Sequence, residues 1–169
     1  TKQEFNLGNP ETVNCLNGQL ELEGGIRQLK PHKKDEYRTT QIPVVYDNAA
    51  TAPKFLQFMS EIFCSDPDKD DKVECILQMM GYTLMSHSQR EKFIMLIGNG
   101  ANGKSVFLAV LESVCGTENI AGVQPCQFDR TFQRAELHNK LANIVTELSE
   151  GEKLADAELK SITSGEPVT

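Results

Sequence analysis

The sequence is short of several things, and each shortage excludes a class of protein. It has no tryptophan and only 7% aromatic residues, with 39% apolar and 24% charged residues, the balance of an ordinary soluble globular chain. Its apolar runs, Phe93–Ile97 and Val106–Leu111 among them, are far too short to cross a bilayer. No N-terminal stretch combines a basic start with an apolar segment, so no secretory signal is legible. The five cysteines (Cys15, Cys64, Cys75, Cys115, Cys126) form no CxxC pair, and the three histidines (His32, His87, His138) stand alone. Neither set has zinc-ligand spacing or reads as a disulfide framework. Each cysteine is therefore expected to be a small core hydrophobe in a reducing, cytoplasmic compartment. Positive charge is also scarce. A formal charge of −7 excludes a surface coated for nucleic-acid binding. The local cluster Lys30, His32, Lys33, Lys34 and Arg38, interrupted by Asp35 and Glu36, reads as a solvated loop.

What is present falls into three parts. Residues 1–48 read as short strands and turns, with LNGQLELEGGIRQL alternating around Gly24-Gly25 as a hairpin and QIPVVYD as an edge run limited by Pro43. Residues 49–88 read as a small helical domain. In its first helix Phe55, Phe58, Met59, Ile62 and Phe63 share one face, and Pro53 suits the first turn. In its second helix Val73, Ile76, Leu77, Met80 and Leu84 share a face, the Met-rich stripe is expected to be core, and Asp70 or Asp71 is placed as the cap. Residues 89–169 read as alternating α and β. There Phe93–Ile97 is expected as a strand buried on both faces, Phe107, Val110, Leu111 and Val114 as a helix face, and Ile120–Val123 as a second strand. A helix over Thr131–Asn139, a strand over Leu141–Glu147 and a helix over Ala155–Thr163 complete a parallel α/β sheet of the P-loop NTPase kind. At 169 residues this allows one sizeable core with a smaller appendage.

The chemistry is concentrated in Gly98-Asn99-Gly100-Ala101-Asn102-Gly103-Lys104-Ser105-Val106. The glycines let backbone N–H groups turn into an anion-binding concavity, and the following helix turns its positive end to the same place. Lys104 is the residue to reach the β- and γ-phosphates of ATP, and the Ser105 hydroxyl is the residue to ligate Mg²⁺. A random chain of this length shows G-x-x-x-x-G-K-S on the order of once in a hundred tries. The expected second magnesium ligand, which also polarises the attacking water, is Glu147 at the end of KLANIVTE. Glu150 and Glu152 follow closely and read as surface charge with the capacity to supply a further acid. A GTPase reading fails because Asn139-Lys140-Leu141-Ala142 lacks the aspartate of a guanine reader. A small-molecule kinase would carry an arginine-rich lid, and only Arg130 and Arg134 are available.

Taken together, NCLNGQLEL, LKPHKKDEYRTTQIPVVYD, FLQFMSEIF, the pairs Leu77-Gln78 and Gly81-Tyr82, IGNGANGKSVFL, LANIVTELSEGEKL and LKSITSGEPVT resemble the superfamily 3 helicase module of phage and plasmid primase–helicases, related to poxvirus-type replicative NTPases. The resemblance implies an AAA+-like homo-hexamer that spends ATP to move on single-stranded DNA and unwind duplex, encoded by a phage or its bacterial host. It implies that residues 49–88 act as an oligomerising collar, that Glu147 holds Mg²⁺ and orients water, and that Lys160 and Gly165 precede a DNA-touching hairpin. The hairpin itself, a sensor asparagine and an arginine finger are expected beyond Thr169, and the chain is expected to be a piece of something longer. Alone it is expected to hydrolyse ATP weakly, since loss of an arginine finger costs about 10³-fold or more. The alternative is a nucleotide-gated assembly or origin-binding module without unwinding of its own.

Overall fold

The computed structural model describes residues 5–148 and 155–165. Its N-terminal part is an antiparallel meander of β1 (Thr12–Cys15), β2 (Gly18–Glu23) and β3 (Ile26–Lys30). Gly24 and Gly25, at φ 57° and 81°, close the expected hairpin between the paired residues Glu23 and Ile26. Two successive left-handed residues match the right-handed twist of the flanking strands, and glycine adopts them without steric cost.

Side-chain alternation sends the two faces of this sheet into different surroundings. Val13, Cys15 and Leu20 meet Ile42 in an apolar core, covered by Leu22, Val44, Tyr46, Leu84, Met85 and Leu141. The intervening positions Thr12, Gln19 and Glu21 are buried as well, on the polar side. The QIPVVYD run forms no regular strand, yet it lies alongside β1. The Ile42 N–H donates to Asn14 and the Leu16 N–H to Val44, both at 2.9 Å. Pro43, between them, has no N–H to continue a ladder. Asn17 then grips Tyr46 at both its N–H and its carbonyl, each at 2.9 Å.

Two helices follow, α1 (Pro53–Ile62) and α2 (Lys69–Thr83). Pro53 opens α1, where its missing N–H costs nothing. The cap position of α2 is Asp68, ahead of Asp70 and Asp71 expected there, and its side chain makes no capping bond. Asp70 and Asp71 sit in the first turn instead, where carboxylates face the positive helix end. No residue of α2 is fully buried, so the Met-rich stripe is a half-covered face and not core. The helix packs on α1, and one neighbouring helix covers only part of an apolar stripe.

Beyond them come α3 (Lys104–Cys115), β4 (Ile120–Ala121), α4 (Thr131–Ala135), β5 (Ala142–Asn143) and α5 (Asp156–Ser164). Phe107, Leu111 and Cys115 are the buried edge of α3. Strands β4 and β5 are parallel, with Ile120 opposite Ala142 and Ala121 opposite Asn143. Both are shorter than the sequence pattern suggests, because a side chain takes over where the ladder ends. Asn143 accepts the Val123 N–H and donates to the Val123 carbonyl, both at 2.8 Å, standing in for a strand partner. Ala121, Val123 and Phe128 form a second core, against which Leu137, Leu159 and Ile162 pack. The expected helix over Thr131–Asn139 stops at Ala135 and continues as turns.

Phe93–Ile97 departs from expectation. It is irregular, and Phe93, Ile94, Met95 and Ile97 are exposed. A doubly buried strand needs hydrogen-bonding neighbours and a layer on each face. Among the described residues no strand pairs with it. The cysteines divide too: Cys15 and Cys115 are buried, whereas Cys64 and Cys75 are exposed. No helix among the described residues is long and apolar enough to cross a membrane.

Candidate nucleotide-phosphate site

The Gly98–Ser105 loop, the candidate phosphate loop, leaves the exposed Phe93–Ile97 segment and ends on α3. Gly98, Asn99, Gly100, Ala101 and Asn102 are exposed, and Ala101 takes a left-handed φ of 59°. Gly103 follows at φ 81° and stands at the N-cap of α3. Its carbonyl accepts the Phe107 N–H at 2.9 Å, the first bond of the helix. The N–H groups of Lys104, Ser105 and Val106 therefore precede the first intrahelical donor and have no acceptor within the helix.

Lys104 folds back over the loop. Its Nζ donates to the carbonyl oxygens of Gly98 and Asn99 at 2.9 and 3.4 Å and to Asn102 Oδ1 at 2.7 Å. Three oxygens of the loop thus hold the ammonium against the loop itself. Ser105 and Val106 are exposed on the first turn. The outer face of α3, from Ser105 and Val106 through Ala109, Val110 and Ser113 to Val114, lines an open, mainly apolar trough of about 470 Å³.

Behind the loop lies α1. A Cβ added to Gly103 would fall 2.8 Å from Ile62 Cγ2 and 3.0 and 3.1 Å from the Phe58 ring. Only glycine fits, for reasons of both conformation and space. The sequence pattern puts Phe58 and Ile62 on an apolar helix face, but periodicity does not say that the face meets the phosphate loop.

Glu147 is exposed, four residues beyond the end of β5. Its backbone carbonyl accepts from Gln124 Nε2 at 3.2 Å. Among the described residues no hydrogen bond or ion pair joins its carboxylate to Lys104 or Ser105, so the structure does not bring the two parts of the expected magnesium site into contact. Asn143 and Gln124, which tie the end of β5 to the residues after β4, carry no motif in the sequence. Glu150 and Glu152 lie outside the described residues. Of LKSITSGEPVT, Lys160 lies on α5 and Gly165 caps it at φ 72°; the last four residues lie outside the description.

The basic cluster of the N-terminal part is only partly the solvated loop expected of it: His32, Lys33 and Lys34 are exposed, but Lys30, Lys33 and Arg38 are engaged in ion pairs. Arg38 Nη2 and Nε reach Glu36 Oε2 at 2.8 and 3.0 Å, and Arg38 also donates to the Asn9 carbonyl at 3.0 Å. Lys33 bonds Glu36 at 3.0 Å and Glu21 at 3.4 Å, Lys30 pairs with Glu21, and Gln19 Nε2 donates to Glu36 at 3.1 Å. Burial pushes the Glu36 carboxyl up, but hydrogen bonds from Arg38 and Lys33 outweigh it and hold the group below its ordinary range. The Lys30 hydrogen bond does the same for Glu21. These cations neutralise buried carboxylates and are not a free polyanion surface.

Residues 1–64 match the family described as D5 N terminal like, and residues 96–169 match a family of unknown function, DUF5906. No curated protein matches the chain. The first match supports a kinship with the primase–helicase replication proteins of phages and viruses.

Proposed function

We propose that this chain is the ATP-binding part of a replicative DNA helicase of the superfamily 3, AAA+-like kind, which couples ATP hydrolysis to movement on single-stranded DNA. The observation that carries the reading is the loop itself: G-x-x-x-x-G-K-S with Gly103 left-handed at the start of α3 and Lys104 folded back onto Gly98, Asn99 and Asn102. The N–H groups at the start of α3 and the helix dipole favour phosphate oxygens, and Lys104 exchanges its three loop oxygens for them. Ser105 and Glu147 offer exposed oxygen donors of the kind that Mg²⁺ takes while keeping several waters. When bound, Mg²⁺ supplies charge neutralisation at the phosphates. The Glu147 carboxylate orients the attacking water. Single-stranded DNA contacts and assembly as a homo-hexamer belong to the same proposal, with residues 49–88 as collar.

The test is ATP hydrolysis by the longest form of the protein that carries this chain, titrated with single-stranded DNA. Stimulation by DNA, lost in Lys104→Ala and in Glu147→Gln, is the expected result. Turnover indifferent to DNA and to both substitutions would overturn the reading.

A second reading, a nucleotide-gated assembly module without unwinding, is favoured by the exposure of Phe93, Ile94, Met95, Ile97, Val106 and Phe132. Four of these fall within Phe93–Ile97, and a run of exposed apolar side chains is usual where a neighbouring subunit covers it. Sedimentation with and without ATP separates the two, because the second reading requires assembly without DNA-dependent turnover.

A further inference from the structure

We infer that Phe58 and Ile62 of α1 are positioning residues for the phosphate loop, so that occupancy of the loop and the packing of α1 are thermodynamically coupled. The inference rests on the proposed phosphate binding and adds a route from that site into the helical pair.

Gly103 is the point where the two meet. It is held by its φ of 81° and by the first helical bond of α3, and its Cα side faces Ile62 and the Phe58 ring with no room for a methyl group. The face it meets is well anchored. Met59, between the two contact residues, is completely buried, and the Phe55 and Phe58 rings lie 6.3 Å apart. The loop therefore has an apolar backstop at Gly103, while Gly98–Asn102 are open to solvent. Lys104 and Ser105, which carry the N–H groups and side chains for phosphate and magnesium, follow Gly103 directly. A backstop of carbon atoms donates no hydrogen bond. It acts by limiting where the Gly103 backbone can move, and so by keeping the following N–H groups convergent. A ligand that draws Lys104 away from Gly98, Asn99 and Asn102 reshapes the exposed part of the loop against this fixed end. If α1 strengthens phosphate binding, bound phosphate must stabilise α1 by the same factor.

The experiment measures the affinity of this chain for Mg²⁺–ATP and for inorganic tripolyphosphate, together with hydrogen exchange along α1. Phe58→Ala and Ile62→Ala are each expected to weaken both ligands by about 5- to 150-fold, the usual span of coupling between sites. Phe58→Leu should recover most of the loss. Gln57→Ala should change nothing, since Gln57 lies on the exposed side and bonds only Glu61. Saturating ATP should slow exchange in α1, and this protection should vanish in Lys104→Ala. A folded Phe58→Ala that binds both ligands like the parent, or weakens ATP while leaving tripolyphosphate unchanged, overturns the inference. So does unchanged α1 exchange in the parent chain at saturating ATP, a measurement that stands even if the alanine variants do not fold. The two readings fail differently. Loss of binding in Lys104→Ala with none in Phe58→Ala removes only the coupling, whereas undiminished binding in Lys104→Ala removes the phosphate site itself.

Discussion

The N-terminal sheet and the phosphate loop both gather charged and polar residues, and they use them in opposite ways. In the sheet, Glu21 and Glu36 are buried and their oxygens are taken by Lys30, Lys33, Arg38 and Gln19. In the loop, Lys104 is held by carbonyl and amide oxygens that carry no net charge, and the N–H groups after it stay outside the helical ladder. The first arrangement neutralises its own charge internally. The second leaves the Lys104 charge without a carboxylate partner among the described residues. A basic cluster in sequence is thus no guide to anion binding until its counter-charges are located.

This contrast is broken most severely by Arg38→Ala. With side chains only 7% and 9% exposed, Arg38 and Glu36 form a buried pair, and leaving one partner alone is expected to cost about 3–5 kcal/mol in urea unfolding. Acid should attack the same place. Because the folded-state pKa values of Glu21 and Glu36 lie below their ordinary value of 4.5, the unfolded chain takes up protons first as pH falls. Stability from these groups should be fully present above pH 4.5 and drain away below it, and Glu36→Gln should flatten that acid limb. Lys104→Ala is expected to do the reverse of Arg38→Ala. It should lower ATP turnover by about a hundredfold or more while moving unfolding free energy by less than about 0.5 kcal/mol. A large stability loss there would erase the distinction between the two regions.

Smaller effects sharpen it. Asn143→Ala removes two side-chain bonds to Val123, and about 1–2 kcal/mol should be lost, with faster hydrogen exchange at Val123 and Ile144. Gly24→Ala, at φ 57° with open space around the missing Cβ, should cost only about 1 kcal/mol in thermal unfolding.

Local patterns in the sequence were read well where the physics is local. Gly24-Gly25 closes a hairpin because its conformation needs no distant partner, and α1 and α3 form where their periodicity and boundary residues place them. The reading weakened where a neighbour decides. Phe93–Ile97 has the composition of a buried strand, but burial depends on flanking strands that the segment cannot specify alone. The Met-rich face of α2 has helical spacing, yet its coverage depends on how many elements pack against it. Lys33 and Arg38 resemble surface charge until Glu21 and Glu36 are brought beneath them by the sheet and the turn after it.

For the candidate site, the sequence supplies residue types and their order, glycines, lysine and serine at fixed offsets, because a loop of consecutive backbone needs no distant partner to be written. Composition and spacing by themselves determined the loop, the principal helices and the parity of the sheet faces, all of which rest on contacts within a few residues. Tertiary structure alone decided which apolar face stands behind Gly103, which carboxylates neutralise the basic cluster, and how Asn143 and Gln124 tie the segment that carries Glu147. The contacts behind Gly103 and those of Asn143 and Gln124 join residues 20 or more positions apart, and no periodicity encodes a partner at that distance; Glu36 is within three positions of Lys33 and Arg38, and there the fold decides only that its carboxylate is buried.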